Sequence, residues 1–423
     1  MGKTIAEKIL ARASGRAEVS PGDFLEDISA QNPITVIGGL INLKRQFEEL
    51  GATSVFDPLQ INIVDGHTGV TASSGTQTDR ANIKEWALKM GIPKEKIYDY
   101  SRAGVEHVVT ADKAWALPGT LHLQATDGHT STLGALGAFA VPLSHGGAHY
   151  LITGKTWIQA PPSARFNITG SLPEGVFARD IFEYVLSQIG GAGCAGHVME
   201  WVGPVIEALP MAGRFTLCCQ ALFCGAWTGI VPPDQVTIDW VEARTDLPFE
   251  PLVSDPDAEY DLTFNFDVSN LVPQIVPGPG RDNVHPIGEV EGEVVHRGFI
   301  GSCSNGYLDD LRVAARILNG RKVKSDVQLN ITPGSVEIYK QALKEGLIEI
   351  FADADAMVVP PACGMCFGAN TPLNAGETVL SSATCNYAGR MGSRDGQIIL
   401  GSPASVAASC IDGKITDPRK YLA

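Results

Sequence analysis

Residues 294–318, VVHRGFIGSCSNGYLDDLRVAARIL, predict a strand, a glycine-bounded loop and a helix in direct succession. Residues 294–300 form an apolar strand-like run, and residues 307–318 place small and apolar side chains on one helical face. The same order recurs at residues 326–345, and a further strand is predicted at 356–359. Strands that alternate with helices in this way indicate a parallel sheet with crossover helices.

The first half of the chain shows the same α/β pattern. Helices are predicted at residues 4–12 and 41–50, and strands at 60–64 and 119–125. Each of these strands is followed by Asp-Gly-His-Thr, at residues 65–68 and 127–130. We therefore expect the two histidine turns to be equivalent loops at strand ends.

Length and composition predict a multidomain globular protein. A chain of 423 residues exceeds one compact core, and 44% hydrophobic residues suffice for large cores. Residues 273–283 carry Pro and Gly too densely for a regular element, which predicts an interdomain crossing. We place two intertwined α/β domains in residues 1–280 and a third in 281–423.

Charge and cysteine content restrict the partners and the compartment. A net charge of −15 opposes binding to nucleic acid or to an anionic membrane. No apolar run is long enough to span a bilayer, and no signal peptide is visible at the start. Nine cysteines in such a chain predict a reducing, cytoplasmic location, where cysteines serve as ligands, nucleophiles or core residues.

Three cysteines lie in glycine-rich turns that could form a functional site. Cys303 follows the predicted strand and precedes the helix, where the helix dipole would favour a thiolate. Cys363 and Cys366 form a Cys-x-x-Cys, which is compatible with a redox pair or with small buried residues. Zinc normally takes two such pairs or a pair of histidines, and neither is near. Three cysteines suit an iron–sulfur cluster with one iron free of protein thiolate, which acts as a Lewis acid.

Several motifs spread along the chain carry a family resemblance. The chain resembles the large subunits of 3-isopropylmalate dehydratase and homoaconitase in the aconitase superfamily, over nearly its whole length. The matching strings are GKTIAEKIL at 2–10, ALPG at 116–119, DGHT at 127–130, GALGAF at 134–139, GSCSNG at 301–306, DLRVAARIL at 310–318 and GSPASVAAS at 401–409.

The resemblance implies a fold, a cofactor and a partner. It implies three α/β domains around a [4Fe-4S] cluster that Cys303, Cys363 and Cys366 bind, with one open iron site. A separate small subunit would supply the mobile fourth (swivel) domain and the serine base. The chain would then be the large subunit of a hydro-lyase that dehydrates or hydrates a small hydroxy acid.

The resemblance also assigns the other site residues. Acid–base and hydrogen-bonding groups near the substrate are expected at His67, His107, Asp127 and His129. Arg390 matches an arginine that helps to hold the substrate's carboxylates beside the cluster.

Other positions depart from the family pattern, and the departures share one direction, the loss of polar or charged side chains. Gly66, Gly128 and Val108 replace polar residues. Cys219 stands on a usual Asn, Phe223 on a usual Glu and Cys385 on a usual Arg. Loss of a bidentate arginine and gain of an aromatic ring predict a less polar pocket. We hypothesise a substrate with fewer carboxylates than isopropylmalate.

Two other functions and the remaining cysteines complete the sequence-based hypotheses. A sulfur-transfer or desulfurising enzyme on the same fold is the alternative, motivated by extra thiols near the pocket. An RNA-binding iron sensor is disfavoured by the negative charge.

Cys194, Cys218 and Cys410 are interpreted as core residues, whereas Cys219, Cys224 and Cys385 could be thiols near the cluster.

Overall fold

Three mainly parallel β-sheets organise the part of the chain that the computed structural model describes, which is residues 2–37, 41–71, 73–99, 101–125 and 127–422. The first sheet is fully parallel, in the order Ile97–Tyr98, Ile61–Val64, Ile34–Ile37, Leu121–Ala125 and Phe139–Pro142. The second is also parallel, in the order Thr228–Ile230, Val198–Val202, Ser163–Thr169 and Leu262–Asp267.

The third sheet is mixed. Its order is His285–Pro286, Gln274–Pro277, Gln397–Leu400, Thr378–Ser381, Arg297–Ile300, Gln328–Ile331 and Met357–Val358. The last five strands run parallel, and the first two pairings are antiparallel. A small antiparallel sheet joins Phe24–Ile28 to Thr156–Gln159.

Helices connect and cover these strands. The α-helices of the described residues are Ile5–Ser14, Ile41–Glu49, Ser74–Lys89, Glu106–Asp112, Gly147–Thr153, Ala178–Ile189, Pro204–Glu207, Met211–Gln220, Gln235–Glu242, Ile287–Val290, Ser302–Asn305, Leu308–Leu318, Val336–Lys344, Leu347–Asp353, Pro403–Asp412 and Arg419–Leu422. Short 3-10 helices span Pro58–Gln60, Lys94–Lys96, Gly128–Leu136, Ser144–Gly146, Ala221–Cys224 and Gly364–Phe367. None of the helices in the described ranges has the length and apolar character needed to cross a membrane.

The predicted α/β class and the strand–loop–helix order are confirmed. The helix expected at residues 4–12 is Ile5–Ser14, with Thr4 as its N-cap and Glu7 completing a capping box. The helix expected at 307–318 is Leu308–Leu318, which Asp310 caps at its start through the Tyr307 N–H.

One expectation about the middle of the chain is wrong. Residues 273–283 were expected to contain no regular element, yet Gln274–Pro277 is a strand that pairs with Gln397–Leu400. Ile275 and Val276 are fully buried, and burial of this apolar pair outweighs the flanking prolines. The third sheet thus takes in a strand that precedes residue 281, and the division into domains at 280 stays a prediction.

Loops at strand ends bring the first and third sheets together. Strands Ile61–Val64 and Leu121–Ala125 flank Ile34–Ile37 in parallel, so both Asp-Gly-His turns leave the same sheet edge. The backbone N–H groups of Cys363 and Gly364 donate to the carbonyls of Gly66 and His67, at 3.1 and 3.0 Å. A histidine loop of the first sheet is therefore joined directly to a cysteine loop of the third.

Gly66 is required by this junction, which gives a test of the fold. A Cβ atom at Gly66 would lie 1.3 Å from the carbonyl oxygen of Gly104, so Gly66→Ala must displace backbone. We expect it to lower the free energy of unfolding by about 1–3 kcal/mol, as overpacking does. Urea unfolding of the full chain measures this change.

Gly128→Ala is the matched control in the second Asp-Gly-His turn. A Cβ there would lie 3.4 Å from Leu222 Cδ2, an ordinary contact, so we expect a change within about 0.5 kcal/mol. Equal stability of the two variants would contradict the close packing at Gly66.

Candidate active site

Two carboxylates hold three imidazoles at the edge of the first sheet. Oε2 of Glu106 lies 2.7 Å from His67 Nδ1, and its Oε1 lies 3.0 Å from His107 Nε2. Oδ1 of Asp127 lies 3.1 Å from both His107 Nε2 and His129 Nδ1. The structure thus places four of the sequence-predicted site residues, His67, His107, Asp127 and His129, in one connected cluster.

The ionisation of this cluster follows from its charge pairs. Burial acts to lower the pKa of each imidazole, but the carboxylates outweigh it. Asp127 raises the pKa of His129 to about 10, and Glu106 holds the pKa of His67 well above its usual value and raises that of His107. Burial acts to raise the pKa of Asp127, but His129 and the hydrogen bonds from the histidines hold it well below its usual range.

The cluster therefore contains ionised carboxylates, a protonated His129 and two further imidazoles whose pKa values are raised. The pKa of Glu106 is also lowered, because His67 and His107 together outweigh the cost of its burial. Protonated imidazoles donate protons and cannot accept them. The cluster is suited to general-acid catalysis and to hydrogen bonding with an anionic or hydroxyl group.

Asp127 and His67 face an open cleft, whereas the groups behind them are buried. The side chain of Asp127 is 45% exposed and that of His67 is 24% exposed, against 1% for His107. Both line a cavity of about 630 Å³, together with Arg80, Thr68 and Phe367. A small ligand can therefore reach the carboxylate of Asp127.

The three predicted cluster cysteines lie buried beside these groups. Cys303 is in the short helix Ser302–Asn305 directly after strand Arg297–Ile300, and Ser302 has a φ of +76° that turns the chain there. Cys363 directly precedes the turn Gly364–Phe367, Cys366 lies within it, and each thiol shifts the pKa of the other. The charges of both thiols also raise the pKa of Cys303, so the three thiols lie close enough to affect one another's ionisation.

The sequence-based expectation of a Cys303 thiolate is wrong for the chain without a bound metal. The hydrogen bond with Cys219 and then burial raise the pKa of Cys303 well above its usual value. A helix of four residues offers too small a dipole to compensate. The pKa of Cys366 is instead lowered, first by its hydrogen bond with Cys363, against burial, and then by Arg390.

The donor set fits an iron–sulfur cluster. A cation among three buried thiols stabilises their thiolate forms, and thiolate sulfur is the ligand that iron–sulfur clusters use. The turns around them carry Gly364 and Gly368 with φ of +56° and +73°, where side chains are rarely accommodated.

Arg390 lies at the rim of the cysteine site. Its Nε donates to the carbonyl of Cys366 at 3.0 Å, and one terminal nitrogen donates to Tyr387 Oη at 3.0 Å. Its guanidinium lies 5.9 Å from the Phe367 ring centroid, at the wall of the cleft. A partly exposed guanidinium at this place can bind a ligand carboxylate.

Aromatic rings line the site where the departures from the family pattern occur. Phe223 lies 6.0 Å from the His129 ring, and Arg281 covers its other side at 4.5 Å. Phe367 lies 6.1 Å from the His67 ring. These contacts give the site two apolar surfaces.

Two of the three extra thiols lie near the cysteine site. Cys219 Sγ is 3.5 Å from Cys303 Sγ, and Cys385 Sγ is linked to Cys366 through Thr384 Oγ1, at 3.5 and 3.9 Å. Cys224 instead contacts the Cys194 region, where its carbonyl accepts from the Cys194 N–H.

Two supporting residues were missed by sequence reasoning. Glu106 is fully buried under two histidines, and its only signal was its position next to His107. Arg179 is also fully buried and donates to Asn305 Oδ1 and to the carbonyls of Ser382 and Ala383. It therefore fixes the loops on either side of the cysteine site.

Comparisons with known proteins identify the family of the chain. The model of the aconitase family (aconitate hydratase) matches residues 73–293 and 286–413. The large subunit 1 of 3-isopropylmalate dehydratase from Methanopyrus kandleri is 41% identical, with all of both chains covered. The corresponding large subunit from Thermodesulfovibrio yellowstonii is 38% identical, with 99% of each chain covered.

Two further likenesses are with a homoaconitase and a solved structure. A probable methanogen homoaconitase large subunit from Methanosarcina mazei is 42% identical over 88% of this chain and 94% of its own. The crystal structure of holo aconitase X from Thermococcus kodakaraensis has a TM-score of 0.49 and 13% identity over 84% of each chain. On the family match and the full-length relatives, the chain belongs to the aconitase family.

Proposed function

We propose that this chain is the cluster-bearing large subunit of a hydro-lyase of the 3-isopropylmalate dehydratase type. The observation that carries the proposal is the junction of the histidine–carboxylate cluster with the three buried cysteines, through the backbone bonds at Gly66 and His67. Full-length relatives named as dehydratase large subunits support it. The reaction removes water from a small hydroxy acid, or adds water to the corresponding unsaturated acid.

Cys303, Cys363 and Cys366 would hold a [4Fe-4S] cluster, and one iron would have no protein thiolate. When bound, such a cluster supplies a Lewis acid that polarises a carbon–oxygen bond of the substrate. Burial of the three thiols excludes bulk water from their sulfur atoms.

The chain's own residues would move a proton to the departing hydroxyl. Asp127 orients His129 through Nδ1 and through the His129 backbone N–H, at 3.1 and 2.9 Å. The protonated imidazole of His129 donates one proton, His107 is held behind it on the same carboxylate, and the hydroxyl leaves as water. Glu106 keeps His67 and His107 in place, and Arg390 binds a carboxylate of the substrate.

The base that removes the substrate's carbon-bound proton would come from a partner. Asp127 and Glu106 raise the pKa of all three imidazoles, which favours their proton-donating form over a role as base. We propose a separate small subunit, a swivel domain with a serine base, that closes the cleft over Asp127. A cytoplasmic location, which fits the cysteine content, is part of the same proposal.

The substrate would carry fewer carboxylates than isopropylmalate. Phe223 and Phe367 present rings to the histidines, and Cys385 stands where the family uses arginine. Aromatic side chains in place of charged ones favour a substrate with an apolar substituent, because that substituent is buried against the rings. The sulfur-transfer alternative stays a prediction from the sequence.

Loss of one cluster cysteine tests the cofactor. We expect Cys303→Ser to lose most iron, sulfide and visible absorption after anaerobic reconstitution, because one thiolate ligand is removed. Cys410→Ser is the control, since Cys410 is buried in helix Pro403–Asp412, outside the cysteine site. Full cluster content in the Cys303 variant would contradict the assignment.

Substitution of Asp127 tests the proton-donor role of the His129 imidazole that Asp127 orients. In the two-subunit complex, Asp127→Asn should lower kcat by about 100-fold or more, as loss of acid–base assistance does, with iron content unchanged. Asp99→Asn, an exposed carboxylate after strand Ile97–Tyr98, should leave kcat unchanged. A full-rate Asp127 variant would exclude the role.

A substrate screen tests the apolar pocket. The complex should turn over an alkyl-substituted hydroxy monocarboxylate with higher kcat/KM than isopropylmalate. Phe223→Glu should shift that ratio by about 10-fold toward isopropylmalate, and Phe223→Leu should shift it little, since one pocket contact is worth about 10–200-fold. Rapid turnover of isopropylmalate by the unaltered complex would refute the prediction of fewer carboxylates.

A further inference from the structure

A second set of metal-ligating atoms overlaps the cysteine site. The ligand atoms of His129, Cys219 and Cys303 all lie within 4.8 Å of one another. The two sulfur atoms are 3.5 Å apart. Two thiolates on one tetrahedral zinc ion lie about 3.8 Å apart, given zinc–sulfur bonds of about 2.3 Å. The pair is thus spaced to share a single ion, whereas cluster thiolates bind different irons and lie farther apart.

The imidazole of His129 is oriented for this role. Its Nδ1 lies 3.1 Å from Asp127 Oδ1, and its Nε2 is buried without a hydrogen-bond partner among the described residues. The residue as a whole is 9% exposed. A histidine that binds metal through one nitrogen commonly donates a hydrogen bond from the other nitrogen to a carboxylate, and this bond fixes the orientation of the ring.

Cys219 is outside the proposed hydro-lyase machinery. It lies near the end of helix Met211–Gln220, fully buried, on a position that is usually Asn in the family. An amide cannot replace a thiolate as a soft ligand. The overlapping set therefore depends on a residue that distinguishes this chain from the family pattern.

We propose that the cluster-free chain binds one thiophilic divalent cation, Zn²⁺ or Fe²⁺, through His129 Nε2, Cys219 Sγ and Cys303 Sγ. Two thiols and the imidazolium each release a proton, no electron is transferred, and Asp127 retains the hydrogen bond to Nδ1. Three protein ligands leave one position for water or a small anion. Because Cys303 belongs to both sets, the ion and the cluster exclude each other.

Cobalt titration of the full, reduced, cluster-free chain tests the site. We expect one Co²⁺ per chain with thiolate-to-cobalt charge-transfer bands and tetrahedral d–d bands, which Zn²⁺ abolishes. Cys219→Ala and Cys219→Asn should weaken Co²⁺ binding by more than about 100-fold, beyond the about 10–100-fold cost of losing a ligand's hydrogen-bond partner. Cys218→Ala, the neighbouring buried thiol, should bind as the unaltered chain does.

A double variant separates this site from the cluster ligands. Cys363→Ser with Cys366→Ser should keep the cobalt bands, because neither residue belongs to the proposed set. Loss of the bands in the double variant, with retention in both Cys219 variants, would overturn the proposal. Circular dichroism verifies folding, and the Asn variant provides the test if the Ala variant does not fold.

Cluster reconstitution distinguishes this proposal from the proposed function. Zn²⁺ should slow iron–sulfur uptake in the unaltered chain and have less effect in Cys219→Asn. Equal inhibition by Zn²⁺ in both chains would overturn the shared-ligand proposal. Failure of the unaltered chain and of Cys219→Asn to assemble an iron–sulfur cluster, with cobalt binding by the unaltered chain intact, would instead count against the hydro-lyase assignment.

Discussion

The site depends on two backbone hydrogen bonds that join loops from different sheets. Cys363 and Gly364 donate to the carbonyls of Gly66 and His67, and Gly66 packs against Gly104 with no room for a side chain. Through this junction the carboxyl ends of parallel strands in two sheets meet. The histidines, the cysteines and the cleft between them have their relative positions because of it.

The second constraint is electrostatic. Glu106 and Asp127 raise the pKa of three imidazoles. Arg179 fixes the loop beside Cys303 through the Asn305 side chain and the loop beside Cys385 through the carbonyls of Ser382 and Ala383. The histidine–carboxylate cluster can donate protons, and the cysteines can bind a cation. This division explains why a hydro-lyase built on the chain would take its base from a partner subunit.

The local structure was largely predictable from sequence, whereas contacts between distant segments were not. Strand-end turns at residues 65–68 and 127–130 and the helix Leu308–Leu318 follow from apolar periodicity and capping residues. The strand Gln274–Pro277 was missed, because its pairing with Gln397–Leu400 overrides the local signal of proline. The burial of Glu106 and the 3.5 Å approach of Cys219 to Cys303 are likewise tertiary effects that spacing cannot predict.

The most direct test of the account is Mössbauer spectroscopy of the full chain, reconstituted anaerobically with ⁵⁷Fe and combined with its small subunit. The account predicts a [4Fe-4S] spectrum in which a single iron changes its signal when a hydroxy-acid substrate is added. Absence of a cluster, or a cluster whose irons all remain unchanged on addition of every substrate that is turned over, would contradict it.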